Sequence, residues 1–474
     1  MARRDRLVML TTLAVLQVLT IVIGVYAIAT DFNLSALTSG SASTDPTASP
    51  AEGSPPVPVV TAGPVLAQLS AKSGDGPLPT KGTLTKQLAS ALGDGALGER
   101  VGAAVIDTAT GEQLFASGAD TPITPASTTK VITTTAALAS LGPDARLSTR
   151  VVQGPKPATI VLVGGGDPML AGPRAKQSGY PKQASLNTLA ARTAAALKAQ
   201  GVRKVTLFYD DTLFTGSPEA PGWKPNYIPD GEVAPVHALM IDEGRQNPGM
   251  RAPRVQNPPQ HAADAFRGLL AKQGISVAKS VRPAKAPAGA AELGRVDSAP
   301  LYALVEHTLT RSDNDLAEAL MRHVAIKEGQ EASFAGGAKA VLAVLQRLGI
   351  AQNVALSDGS GLSIRNRISP NALAKAIALA GSPQHPELRA VATGMPIAGF
   401  SGTLGNGRRF VDSRSKDQVG LVRAKTGTLN HVNTLAGFAT TKDGRLVTYA
   451  FMADRVPVNA EPVLDRLAAI VARS

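Results

Sequence analysis

An uncharged run from Leu7 to Thr30, led by Arg3, Arg4 and Arg6, constrains this chain before anything else in it. The apolar part of a cleaved export signal is usually about 7–15 residues, whereas about 20 are needed to cross a bilayer as a helix. This run has the second length. Arginines on its N-terminal flank keep that end in the cytoplasm and send the rest of the chain outside. Ala27 and Ala29 also suit a small-residue cleavage site, but the length favours an anchor that stays. Thr38 to Val59 then reads TSGSASTDPTASPAEGSPPVPV, a composition that buries no core and acts as a flexible-to-extended spacer. The expected order is a single-pass membrane segment (1–30), a linker (31–65) and an extracytoplasmic folded part. Folding resumes near Leu66 and is plain by Lys81.

The chain has 474 residues, more than one ordinary domain of roughly 100–200. Its 44% hydrophobic content is ample for a core, which excludes global disorder. There is no cysteine, so a catalytic thiol, a zinc–thiolate site, disulfides and a lipidated cysteine all drop out. The net charge of +12 is scattered, and aromatics at 4% leave little for base stacking. With an export signal in front, that balance suits an anionic cell envelope and no nucleic acid.

A helical pattern (LTKQLASALG) closes at Gly93. Val101–Asp107 and Glu112–Ala116 read as two strands around a polar turn, and Ser127–Leu141 as a helix stopped by Gly142-Pro143. The texture changes between 144 and 298. There a strand (159–163), a Gly164–Asp167 turn, a helix (185–200), a strand (204–209) and a helix (262–272) follow one another. Helices return at 300–310 and 316–327; strands at 434–439 and 446–452 precede a closing helix at 462–472.

Two familiar hydrolytic signatures are missing: no G-x-S-x-G and no H-E-x-x-H occurs, and the six histidines show no ligand spacing. Serine chemistry without histidine needs another base, and a lysine whose ammonium is depressed can serve. In Ser-x-x-Lys on a helix the two side chains share one face a turn apart. Three such pairs occur: Ser127–Lys130, Ser276–Lys279 and Ser413–Lys416. Prolines follow Ser276 too closely for a sustained helix, and Ser413 lies in the charged stretch DSRSKDQ. Only Ser127 opens a long apolar helix. Ser312-Asp313-Asn314 then supplies S-x-N, which also occurs at Ser185-Leu186-Asn187, and Lys425-Thr426-Gly427 supplies the single K-T-G. The three motifs in this order form the signature of penicillin-binding proteins and class A β-lactamases.

At these residues the chain resembles the low-molecular-mass penicillin-binding proteins with D-Ala-D-Ala carboxypeptidase/endopeptidase activity that carry a large inserted module. Gly164–Pro168 (GGGDP), Asp211-Thr212-Leu213-Phe214, Pro221-Gly222-Trp223, Asp358–Ser363 (DGSGLS) and Ala398–Leu404 (AGFSGTL) resemble the same family. The stretch from Lys130 to Ser312 has room for an inserted domain. The resemblance implies an α+β fold: a β-lactamase/transpeptidase-like catalytic domain (66–143 and 299–474), an antiparallel sheet flanked by helices, split by a mixed α/β module (144–298).

The same resemblance implies the chemistry. Ser127 attacks the penultimate D-alanine carbonyl of a peptidoglycan stem peptide, and Lys130 takes its proton. Ser312 relays protons to the leaving amine, and Asn314 holds Lys130 and the substrate amide. Lys425, Thr426, Gly427 and Thr428 receive the terminal carboxylate, with Ser360 and Leu362 beside the substrate. The backbone N–H groups of Ser127 and Thr428 form the oxyanion hole. Asp211 either pairs with the side-chain amine of a diamino acid in the stem peptide or caps a turn beside Asp210. No cofactor or metal is implied, and β-lactam antibiotics are the expected covalent inhibitors. Where the family places an arginine after G-L-S, this chain has Ile364 and then Arg365, and the sequence leaves open whether Arg365 takes that place. A β-lactamase is disfavoured by the lack of E-x-x-L-N after S-D-N. A catalytically silent peptidoglycan-binding module is disfavoured because Ser127 and Lys130 are both kept.

Overall fold

The computed structural model describes residues 76–176, 179–251, 253–405 and 407–474. The membrane segment, the linker and the expected start of folding near Leu66 lie outside the described residues, among which no helix is long and apolar enough to cross a membrane.

Helix α1 (Lys81–Leu92) buries Leu84, Leu88 and Ala91, spaced at i, i+4 and i+7 so that they share one face. The hairpin β1 (Arg100–Asp107) and β2 (Gln113–Ser117) follows, in antiparallel register. Helix α2 (Thr129–Leu141) is buried from Thr129 to Leu138. A helix apolar or buried all round belongs inside a domain rather than on its surface, so the lysine it carries has no easy route to water.

The next elements build a sheet of their own. Strands β3 (Ser148–Gln153) and β4 (Thr159–Val163) pair antiparallel; helix α3 (Leu186–Ala199) leads to β5 (Lys204–Asp210), which runs parallel to β4. Helix α4 (Pro258–Lys272), short strands β6 (Ser276–Val277) and β7 (Arg282–Pro283), and β8 (Glu292–Asp297) complete it. The strand order is β6-β5-β4-β3-β8, with β7 beside β5. Ile160, Leu162 and Leu207 from the sheet share a core with Leu189, Leu197, Phe266 and Leu270 from α3 and α4.

The chain then returns through helices α5 (Leu301–Arg311), α6 (Asn314–Lys327) and α7 (Phe334–Arg347). Short strands β9 (Val354–Ala355) and β10 (Arg367–Ile368) precede helices α8 (Pro370–Gly381) and α9 (Arg389–Gly394). Strands β11 (Val422–Leu429), β12 (Val432–Thr440) and β13 (Leu446–Asp454) and helix α10 (Glu461–Arg473) end it. The last three strands join the first two in an antiparallel sheet of order β11-β12-β13-β1-β2, with β11 at its edge. Because side chains alternate along a strand, β1 feeds two cores. Ala103 and Val105 pack with residues of α1 and α10, while Ala104 and Ile106 pack with residues of α2, α6 and α8.

The α+β class and the antiparallel sheet flanked by helices agree with the sequence-based expectation. Helices α7 and α8 do not appear in that reading. Helix α7 carries Gly336 and Gly337, which disfavour a helix by about 1 kcal/mol each relative to alanine. Packing explains Gly337, where a Cβ would stand 2.8 Å from Met321 Cγ of α6.

Candidate active site

Ser127 sits in the turn Ala126–Thr128 that opens α2, and Lys130 follows on the first turn of that helix. Lys130 Nζ donates to Ser127 Oγ at 3.1 Å, to Asn314 Oδ1 at 2.6 Å and to the Ser360 carbonyl at 2.7 Å. Those are all three hydrogens of an ammonium. The side chain is fully buried. Loss of hydration pushes its pKa down to about 8, against the opposing pull of the Asp358, Glu318, Asp313 and Asp315 carboxylates. Once deprotonated, the amine keeps two hydrogens for Asn314 and Ser360 and turns a lone pair towards the Ser127 hydroxyl.

Two of these acceptors come from far along the chain. Asp313 caps α6, its carboxylate accepting from Leu316 N at 2.9 Å, which makes Asn314 the first residue of the helix. Ser312 ends α5 in the left-handed region at φ 57°, so the chain reverses direction between the two helices and presents Ser312 and Asn314 together. The Asn314 amide donates to the Glu232 carbonyl at 2.8 Å, which orients its oxygen towards Lys130.

The Ser360 carbonyl is held by two buried acids. Glu318 accepts from Gly359 N at 2.9 Å and Ser360 N at 2.8 Å. Asp358 accepts from Gly361 N, Ser363 N, Asn366 Nδ2 and the Trp223 indole N–H at 2.6–2.9 Å. Gly361 has φ 87°, and a methyl there would overlap the Ala126 carbonyl. Only glycine lets this loop lie against the Ser127 turn.

The K-T-G residues lie on β11, the edge strand. Lys425 is fully buried, and Nζ donates to the Thr426 carbonyl at 2.7 Å. Burial, then the charges of Lys130 and Arg409, hold its pKa well below the usual lysine value. Thr426 Oγ1 and Thr403 Oγ1 share a hydrogen bond of 2.8 Å, and Thr428 Oγ1 donates to Glu461 Oε1 at 2.9 Å. At Gly427 a Cβ would come within 2.7 Å of the Pro125 carbonyl, so glycine here allows β11 to approach the nucleophile turn.

Ser127, Ser312, Asn314, Leu362 and Thr428 together line a cleft of about 730 Å³. Residues 227–254 supply its opposite wall, including Tyr227, Glu232, Arg245 and Arg254. That wall is pinned to α6: Arg254 meets Asp315 at 3.2 Å with both side chains 3% exposed, and Ala234 N donates to Asp315 Oδ1 at 2.7 Å. Glu243, His307 and Asp313 place one ligand atom each within 4.8 Å of one another. Arg245 already holds Glu243 at 2.5 Å, and Asp313 caps α6 with His307 at 3.4 Å, so each of the three has a partner within the protein.

The site differs from the sequence-based expectation at several residues. Ser360 does not offer its side chain to a ligand; it is fully buried, and its backbone carbonyl positions Lys130. Asp211 is not among the residues lining the cleft. His237 Nδ1 lies 2.5 Å from one of its carboxylate oxygens and Leu239 N donates to the other at 2.7 Å, so the carboxylate is spent holding residues 237–239. Asp210 makes the turn contact instead, accepting from Thr212 N at 2.9 Å. Ile364 and Arg365 are exposed and outside the cleft lining; Arg365 lies along Gly222. Ser276, Lys279, Ser413 and Lys416 are exposed too. The sequence reading missed Glu318 as a positioning residue. It stands four residues after Asn314, hence on the same face of α6, and that spacing was the available signal.

The profile of the D-Ala-D-Ala carboxypeptidase 3 (S13) family matches residues 84–253 and 245–473. A carboxypeptidase of Mycobacterium tuberculosis is 38% identical over 398 residues, 82% of this chain and 84% of the relative. The carboxypeptidase DacB of Mycolicibacterium smegmatis is 36% identical over 426 residues, 89% of this chain and 90% of the relative. Among solved structures, penicillin binding protein 4 of Haemophilus influenzae superposes with a TM-score of 0.66 at 23% identity, covering 82% of this chain and 97% of that one.

Proposed function

The chain belongs to the D-Ala-D-Ala carboxypeptidase 3 (S13) family, and from that premise we propose that it removes the terminal D-alanine of peptidoglycan stem peptides through an acyl-enzyme on Ser127. As a serine-type D-Ala-D-Ala carboxypeptidase it needs a base for its hydroxyl. The contact that carries the assignment is Lys130 Nζ at 3.1 Å from Ser127 Oγ, buried and held at a pKa of about 8. At pH 7 about one such amine in ten is neutral, against fewer than one in a thousand for a lysine in water.

In this reading the Ser127 proton passes to Lys130 as Oγ bonds to the carbonyl carbon of the penultimate D-alanine. The carbonyl oxygen takes the negative charge between the backbone N–H groups of Ser127 and Thr428, an arrangement worth about 3–4 kcal/mol per donor at the transition state. Collapse breaks the C–N bond, and the proton returns through Ser312 to the leaving amine. Water then attacks the ester, Lys130 again taking the proton, and Ser127 is restored. Asn314, the Ser360 carbonyl and Glu318 keep Lys130 aimed at Ser127. Leu362 forms an apolar wall, and buried Lys425 braces the edge strand through its bond to the Thr426 carbonyl. A β-lactam acylates the same hydroxyl and stays.

The uncharged run after Arg6 supports a further part of the proposal: the enzyme is tethered to the cell membrane by residues 1–30 and works on its outer side. The test of the catalytic part is a labelled penicillin with hydrolysis of an acyl-D-Ala-D-Ala peptide alongside. A persistent adduct mapped by mass spectrometry to Ser127, and loss of both activities in Ser127→Ala, is the expected result. An adduct on another serine, or rapid turnover of the antibiotic, overturns it.

A further inference from the structure

Helix α6 carries a row of side chains that starts at the active site and runs away from it. Asn314, Glu318 and Arg322 stand four residues apart, so they share one face. Asn314 accepts from Lys130. Glu318 accepts from Gly359 N and Ser360 N, which fixes the Ser360 carbonyl that takes another hydrogen of Lys130. The loop they hold lies directly on the helix: at Gly359 a Cβ would stand 2.7 Å from the Ala317 carbonyl. Arg322, the third of the row, has no part in the chemistry proposed above.

Arg322 is 1% exposed, yet it is poorly supplied with partners. Nη2 reaches the Ser217 carbonyl at 3.4 Å, while Nε and Nη1 are buried with no hydrogen bond. The guanidinium carbon lies 4.0 Å from the centre of the Phe334 ring and 5.6 Å from that of Phe214. Buried N–H groups without acceptors destabilise a fold. The ring faces offset part of that, but an unbranched apolar side chain would fill the same slot with no N–H to satisfy. Packing therefore does not account for an arginine here, and charge does. Glu318 is fully buried; burial, then the Asp358 charge, push its pKa up to about 7, against its two N–H donors and Arg322. Lys130 faces the same loop, with the Asp313 and Asp315 charges also acting on it. Asp358 accepts from four N–H groups and Glu318 from two, so a proton taken up by this pair goes to Glu318.

We propose that Arg322 is a positioning residue that keeps Glu318 ionised, so that both of its oxygens accept N–H groups and the Ser360 carbonyl stays on Lys130. The inference rests on the reading of Lys130 as the base for Ser127 and adds a residue to it. A protonated Glu318 turns an O–H towards one of the two N–H groups, which loses its acceptor, and the loop slackens. The stretch between β5 and α4 holds Arg322 in place. It supplies Phe214, Ser217 and Trp223, whose indole donates to Asp358 at 2.8 Å and meets Phe334 edge-on at 5.6 Å.

The experiment measures acylation by a labelled penicillin at pH 8 and pH 10 in the full-length protein, Arg322→Met, Glu318→Gln and the double variant. At pH 8 each single variant is expected to acylate about 10- to 100-fold more slowly, the scale of a base displaced by about 1 Å. A neutral Glu318 also lowers the pKa of Lys130, but about half of that amine is already neutral at pH 8, which limits the gain to about twofold. The double variant is expected to be no slower than Glu318→Gln, because Arg322 acts through Glu318. At pH 10 Arg322→Met recovers as Glu318 ionises again, and Glu318→Gln does not. Losses that multiply in the double variant, a deficit of Arg322→Met equal at both pH values, or failure of Arg322→Met to fold makes Arg322 part of the frame alone and overturns the inference. No labelling of the unmodified protein at either pH overturns the Ser127–Lys130 reading itself, and this inference with it.

Discussion

Asn314→Asp exchanges an amide for a carboxylate while leaving the shape of the side chain unchanged, at an oxygen 2.6 Å from Lys130 Nζ. In the unmodified protein burial holds Lys130 at about 8. A carboxylate at that distance stabilises the ammonium and raises the pKa by about 1–3. The base works only when deprotonated, so the acid limb of acylation moves up with it, from about pH 8 to between about 9 and 11. At pH 7 the neutral fraction falls about 10- to 1000-fold, and acylation falls with it. The loss is recovered as the pH is raised past the new limb. A second effect is separable: the bond from the Asn314 amide to the Glu232 carbonyl, 2.8 Å long, becomes oxygen facing oxygen. That costs stability, at most about 1–3 kcal/mol, because the half-buried Glu232 carbonyl loses its donor and meets a second oxygen. The assay is stopped-flow acylation by a labelled penicillin across pH, with thermal unfolding measured on the same samples. An acid limb that stays near pH 8, or a loss equal at every pH, would refute Lys130 as the base whose proton Asn314 controls.

Other outcomes are as definite. Lys130→Arg is expected to lose penicillin acylation as fully as Lys130→Ala, because a guanidinium releases no proton at any workable pH; normal labelling of the arginine variant removes Lys130 from the base role. Gly361→Ala forces a Cβ into the Ala126 carbonyl at φ 87°. The left-handed backbone costs about 1–2 kcal/mol and the overpacking about 1–3 more, and acylation slows as the Ser360 carbonyl withdraws from Lys130; an unchanged urea midpoint counts against the close approach. Intact-mass analysis of the native protein is expected to find residues 1–30 still attached, and a new N-terminus near Thr30 would make the segment a cleaved signal.

Some of the site was legible because its information is local. Ser127 stood out from Ser276 and Ser413 through helix context alone, since an apolar helix must be buried and buries its lysine with it. That is why Lys130 is fully buried while Lys279 and Lys416 are exposed. Strands and helices with a clear period of two or 3.6 were legible for the same reason, as in the closing helix α10 with Leu464, Leu467, Ala468 and Val471 on one face. Helix α7 was not, because its glycines argue against a helix until Met321 is seen packed on Gly337 and the Glu331 backbone on Gly336.

What only the tertiary structure decided is which partner each polar group takes. Nothing near residue 360 says that its carbonyl, and not its hydroxyl, meets an amine 230 positions earlier in the chain. Asp211 reads equally well as a substrate partner or a structural acid until His237 and Leu239 are found on its two oxygens. The physical reason is the same in each case. Residue type sets how many hydrogen bonds a group must make, and that is written in the sequence. Which distant group arrives to make them depends on how sheets and helices pack, and packing is settled by the whole chain at once.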